Sequence, residues 1–201
     1  MPSFLRPFKS KKMRIVHYGH PALRKTSEPI AVIDESVRTL ADRMTYTLTH
    51  NDVDGVGLAA PQVGVNKRLI IIDTWLNKDE PQDESTLSPG ERLLNPLMPV
   101  ALVNPEITLG PEMICSSEGC LSLPGVSGEL PRAKTIILQA KLLDGRVIQV
   151  ECDNLLAVCL QHEIDHLDGT LFIDKATDDD KKQAENTLRE LAQAEARRKR
   201  R

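Results

Sequence analysis

At 201 residues, with 40% apolar and 27% charged side chains, the chain has the size and composition of one domain with a sizeable hydrophobic core. No apolar run approaches the ~18 residues of a membrane span, and the N-terminus lacks the apolar stretch and small-residue cleavage site of a secretory signal, so no membrane partner is expected and the expected location is cytoplasmic. Four cysteines are too few to staple a fold of this size, three Phe, two Tyr and one Trp offer no stacking platform for single-stranded nucleic acid, and the net charge of −3 adds no general affinity for DNA.

Residues 1–12 form a basic extension, with Arg6, Lys9, Lys11 and Lys12 and no acid. The runs 13–17 (MRIVH) and 68–74 (RLIIIDT) are short and β-branched and read as strands. Between them Val37, Leu40, Ala41, Met44 and Leu48 recur at helical spacing behind Asp34, a candidate N-cap, which predicts an amphipathic helix over 35–50. The stretch 76–98, rich in Asn, Asp, Glu, Pro and Ser, reads as the least ordered part of the chain. Residues 101–107 (ALVNPEI) read as a strand, and the runs 135–143 and 146–152 as a hairpin turned by Asp144-Gly145. Asp153 opens a second helix carrying Leu155, Leu156, Val158, Cys159 and Leu160, with Gly169 as its stop. A last helix is predicted from Thr177, with Asp180 at capping-box spacing. Its apolar stripe of Ala184, Leu188 and Leu191 is thin, and Glu195 stands where the next apolar residue would fall. It ends in Arg197, Arg198, Lys199, Arg200 and Arg201, so an acidic body lies between two basic tips that suit either a polyanion or plain solvation. The pattern is α+β: antiparallel strands packed around a central helix, with a C-terminal helix, divided into 1–12, 13–175 and 176–201.

His162-Glu163-Ile164-Asp165-His166 is the sharpest local signal. Residues four apart share a helix face, so both imidazoles reach one ion, and Glu163 projects beside it where it can exchange a proton with water. A polar helix can hold this set by chance, but the preceding residues here are apolar, and burying His, Glu, Asp and His without purpose is costly. A third ligand is needed, and Cys120 in Glu118-Gly119-Cys120-Leu121-Ser122 is a candidate; Cys115, Cys152 and Cys159 read as inert core thiols. Gly55-Val56-Gly57-Leu58-Ala59-Ala60-Pro61-Gln62 keeps side chains off the backbone, as close approach of a ligand chain requires, and a turn in tight packing accounts for it equally well.

Together, in this order, GVGLAAPQ, EGCLS and HEIDH resemble the three motifs of the peptide deformylases, and MRIVHYGHPALRK, LVNPEI and Pro131-Arg132 extend the resemblance over roughly residues 13–174. The resemblance implies hydrolysis of the formyl group from N-formylmethionyl nascent peptides, in a catalytic domain spanning 13–175. It implies Cys120, His162 and His166 as metal ligands and Glu163 as general base and acid. Gln62 and the backbone amide of Leu121 are the implied oxyanion donors. Main-chain contacts at Val56 and Gly57, a methionine pocket with Val158 and Cys159, and Arg132 near its mouth complete the implied site. It further implies Fe2+ as the native ion, with Zn2+ or another divalent ion able to substitute, and a use for the basic C-terminal helix in docking on the ribosome. Two other readings stand beside it: a zinc peptidase, which shares HExxH and needs a ligand from the polar helix bearing Glu185, Glu190 and Glu195, and a closed structural metal site, which leaves Glu163 and Gln62 idle.

Overall fold

The protein is described from a computed structural model over residues 11–75 and 83–199. Arg6, Lys9, Arg200 and Arg201 of the basic tips, and 76–82 of the polar stretch, lie outside the described residues. The first helix, α1 (Glu35–Thr49), begins where the spacing predicts, with the Asp34 carboxylate accepting from the N–H of Val37 at 3.0 Å. Its stripe of Ala41, Met44 and Leu48 is buried against β1 (Gly57–Ala59) and β2 (Leu69–Ile72), whose residues are wholly buried.

Residues 13–17 are not a strand. They are extended, but the N–H of Val16 donates to the carbonyl of Gln62 at 2.8 Å and that of Tyr18 to Ser122 at 2.9 Å, so they lie across two loops instead of joining a ladder. The polar stretch also departs from expectation. Ser88 and Glu91 cap one another at the start of α2 (Pro89–Leu94), which packs on the strand Val147–Cys152 with Gly90 against Cys152, so residues 88–94 are ordered by a capping box and a buried face.

The remaining strands are β3 (Val100–Leu109), β4 (Met113–Gly119), β5 (Ser127–Ala133), β6 (Ile136–Lys141) and β7 (Val147–Cys152). One antiparallel sheet has the order β1-β2-β3-β6-β7, with β1 at its edge, and β4 pairs with β5 in a separate hairpin. The turn between β6 and β7 falls at Asp144-Gly145, where Gly145 takes φ +90° and Asp144 accepts from the N–H of Arg146 at 2.9 Å. The β4–β5 hairpin has no counterpart among the predicted elements.

Between sheet and hairpin runs α3 (Asn154–Leu167), buried on nearly all sides, which its apolar composition requires. Gln161 stitches it to β5, accepting from Ala133 N–H and donating to Ala133 O, each at 2.9 Å. Asp153 stands at the N-cap without a side-chain capping bond, and the chain leaves the helix through Gly169 at φ +74°. A short α4 (Phe172–Lys175) leads to α5 (Asp178–Lys199), opened by Thr177, whose hydroxyl accepts from the N–H of Asp180 at 3.2 Å. The antiparallel strands around a central helix are therefore an α+β arrangement.

Candidate active site

Cys120 follows β4 directly, and His162 and His166 stand one helical turn apart on α3. Their ligand atoms all lie within 4.8 Å of one another, and Cys120 Sγ is 3.2 Å from His166 Nε2. Bond lengths of ~2.0–2.3 Å around a tetrahedral ion separate its donors by roughly 3.5 Å, so this set is close to binding geometry. One soft thiolate with two imidazoles suits zinc or iron better than a hard ion. Burial pushes His166 well below the usual histidine range, aided by the neighbouring charge on His162, and a neutral imidazole is the ligating form.

Behind His162 lies an ion-pair frame. Its Nδ1 meets Glu118 Oε2 at 2.8 Å, which turns Nε2 away from Glu118. Arg132 donates to both Glu118 oxygens, at 2.7 and 2.9 Å, and to Asp165 at 2.6 Å, while Lys175 holds Asp165 at 2.7 Å. Burial works against the charge on Glu118, but Arg132 and His162 together outweigh it and hold the carboxyl at about 2. Burial likewise opposes the charged form of His162, yet hydrogen bonds with Cys120 and Glu118 raise it well above its usual range.

Glu163 is 3% exposed, and burial raises its carboxyl to about 7. Among the described residues its Oε2 has no hydrogen-bond partner. It packs against Gly57, where a side chain would strike it: a Cβ built there lies 2.8 Å from Glu163 Cδ and from Cys159 Sγ. Gln62 sits in a short 3-10 helix (Ala60–Val63), and its Oε1 accepts from the N–H of Ala59 at 2.7 Å. That bond fixes the amide and directs Nε2 to Cys120 Sγ at 3.4 Å.

An open cavity of about 1030 Å³ joins these groups. Gln62, Cys120, His162 and Glu163 border it, as do Leu121, Val56, Gly57, Val158 and Cys159. His166 lies behind the first rank at 1% exposure. Arg132, expected near the pocket mouth, is not among the residues bordering the cavity: at 3% exposure it is buried between Glu118 and Asp165, held there by the need to pair both charges. Nothing local in the sequence assigns Glu118 or Asp165 to this frame. The sequence shows an acid two residues before Cys120, but no local signal marks the hairpin that presents Glu118 and Arg132 on one face.

A Cys-His-His group able to hold a metal ion, beside a buried carboxylate in a cavity flanked by a fixed amide donor, fits a metal-dependent hydrolase. Residues 12–182 match the model of the polypeptide deformylase family. Similar proteins include the peptide deformylase of Hydrogenovibrio crunogenus, 41% identical over 81% of this chain and 85% of that protein, and that of Acetivibrio thermocellus, 44% identical over 78% and 79%. Among solved structures, the Legionella pneumophila peptide deformylase aligns over 93% of this chain and 99% of that one, at 34% identity and a TM-score of 0.74. The Thermotoga maritima enzyme aligns over 83% and 99%, at 35% identity and 0.69. The chain belongs to the peptide deformylase family, metal-dependent hydrolases that remove the formyl group from the N-terminus of new polypeptides.

Proposed function

We propose that deformylation in this chain is carried out by Glu163, Gln62 and the Leu121 amide around an ion held by Cys120, His162 and His166. The reading rests above all on the position of Glu163, a buried carboxylate bordering the cavity that Gln62, Cys120 and His162 also line. A bound divalent ion supplies Lewis-acid activation of water and of the formyl oxygen. Glu163 takes the proton of the attacking water and returns it to the leaving amine, as a carboxylate bordering the cavity can. As the formyl carbon becomes tetrahedral, Gln62 Nε2 and the Leu121 N–H donate to its oxygen, each worth about 3 kcal/mol in such a site. The peptide backbone pairs along Val56 and Gly57, beside the edge strand β1, as an added strand. The methionine side chain fills the apolar side of the cavity at Val158 and Cys159.

Arg132 is assigned here to orienting His162 through Glu118. Fe2+ is the proposed native ion, with Zn2+ able to replace it. Residues 13–175 are taken as the catalytic unit, with 176–201 as a helical appendage whose basic end binds ribosomal RNA, and the proposed location is the cytoplasm. No helix among the described residues is long and apolar enough to cross a membrane. Deleting 197–201 is expected to weaken ribosome co-sedimentation at low salt; unchanged co-sedimentation would remove the docking proposal.

The deciding experiment measures formate release from formyl-Met-Ala-Ser by anaerobically purified, iron-loaded protein beside Glu163→Ala. Turnover by the wild type, lost in the variant while metal stays bound, is expected. Full activity in the variant would overturn the role of Glu163, and no formate from well-folded, loaded wild type would overturn the activity.

A further inference from the structure

One wall of the cavity comes from the extended segment that crosses the two loops. Lys12, Met13, Arg14, Ile15 and His17 all border the cavity. The segment is pinned at both ends. At the outer end Met13 N–H donates to Thr47 Oγ1 at 2.8 Å, and the Lys12 ammonium is 3.6 Å from Asp52 in the loop after α1. At the inner end Val16 N–H donates to the carbonyl of Gln62 at 2.8 Å. Extended chain rises ~3.3 Å per residue, so Arg14 stands roughly 7 Å out from the Gln62 contact. That is the reach from the first to the third residue of an extended peptide whose first residue lies beside Gln62.

Arg14 is held there by the far end of the molecule. Its Nη2 donates to Glu195 on α5, and Glu195 also accepts from the backbone N–H of His17. Nearly one turn earlier on the helix, Ala192 closes on Gly19, where a Cβ would lie 2.7 Å from Ala192 Cα. The two partners differ sharply in exposure: the Glu195 side chain is 4% exposed, that of Arg14 48%. A carboxylate buried on an otherwise polar helix is costly unless paired, and this one clamps a guanidinium in the cavity wall. Glu195 cancels the charge at long range. What remains for a ligand is short-range: the planar donor fork, which matches a carboxylate in direct contact.

We infer that Arg14, positioned by Glu195, is a specificity-determining residue that favours a carboxylate side chain at the second or third residue of the formylated peptide over an ammonium there. The inference rests on the reading that this cavity receives that peptide.

The test uses the full-length, iron-loaded enzyme and two peptide series, formyl-Met-X-Ser and formyl-Met-Ala-X, with X as Ser, Glu or Lys. The readout is the Glu-to-Lys ratio of kcat/KM on a single preparation, which cancels the active fraction. At low ionic strength a ratio of about fivefold is expected at one of the two positions, shrinking as salt is added. In Arg14→Gln the ratio falls to about one, and in Arg14→Lys part of it survives. Glu195→Gln raises KM for the glutamate peptide more than for the serine peptide. A wild-type ratio at or below one in both series, or the same ratio in Arg14→Gln, overturns the inference. Equal effects of Glu195→Gln on the two peptides overturn the positioning role. Failure to deformylate the serine peptides sinks the underlying reading of the cavity instead.

Discussion

Replacing Gly57 with alanine adds one methyl group to the edge strand and tests how tightly Glu163, the proposed general base, is placed. The added Cβ falls 2.8 Å from Glu163 Cδ and 2.8 Å from Cys159 Sγ, where ordinary contact begins at 3.4 Å. Neither neighbour yields easily: Glu163 is 3% exposed and Cys159 4%, both on the buried helix α3. The carboxylate must therefore retreat by about 0.6 Å or more, and displacements approaching 1 Å at a reacting centre cost up to ~100-fold in rate. We expect kcat on formyl-Met-Ala-Ser to fall about 10- to 100-fold. Overpacking should also cost about 1–3 kcal/mol of stability, or roughly 2–12 °C in melting temperature for a chain of this size. The assay is formate release with parallel metal analysis and a thermal melt. Metal content should stay at the wild-type level, because the three atoms nearest the new methyl group belong to Glu163 and Cys159, neither of them a proposed ligand. A variant that binds metal normally and keeps kcat within about threefold of wild type, a change of under ~1 kcal/mol, would refute the steric argument.

Cys120→Ala is expected to abolish stoichiometric metal binding and with it formate release; retention of the metal would revive the zinc-peptidase alternative, which does not use this cysteine. Glu118 should also shape acid stability. Its carboxyl is held at about 2 against an unfolded value of 4.5, so its contribution is complete above pH 4.5 and is lost as pH falls toward 2. In metal-free protein, urea melts at pH 5 and pH 3 should therefore show wild type losing about 2 kcal/mol more than Glu118→Gln. Parallel losses in the two proteins would show that Glu118 gains nothing from Arg132 and His162.

Chemistry confined to one helix or one turn was legible in the sequence. His162 and His166 share a face because they are four residues apart, Asp34 caps α1 through a residue three positions on, and Asp144-Gly145 turns a hairpin at one point. Core patterning likewise announced β2, buried throughout, and α3, where Leu156, Cys159 and Leu160 are buried while Leu155 is exposed and Val158 half-buried. The α+β class followed from the same local signals.

What the local signals could not supply was the meeting of distant residues. Cys120 and His166 are 46 positions apart, and no spacing rule couples them. The β4–β5 hairpin is not legible in the sequence because its burial alternates through Ser117, Glu118, Gly128, Pro131 and Arg132, none of which advertises a strand. Only its folding brings Arg132 behind His162 and away from the cavity. The run at 13–17 has the composition of a strand, but its N–H groups find Gln62 and Ser122 in place of a neighbouring ladder. Glu195 falls on the correct helical stripe yet carries a charge, and its partner Arg14 lies 181 residues earlier. Periodicity and capping act over one or two turns and so are written in neighbouring residues. Ion pairing, desolvation and close approach act through space, so the three-dimensional packing decided which carboxylates are paired, as Glu118 and Glu195 are, and which, like Glu163, lie buried beside the cavity.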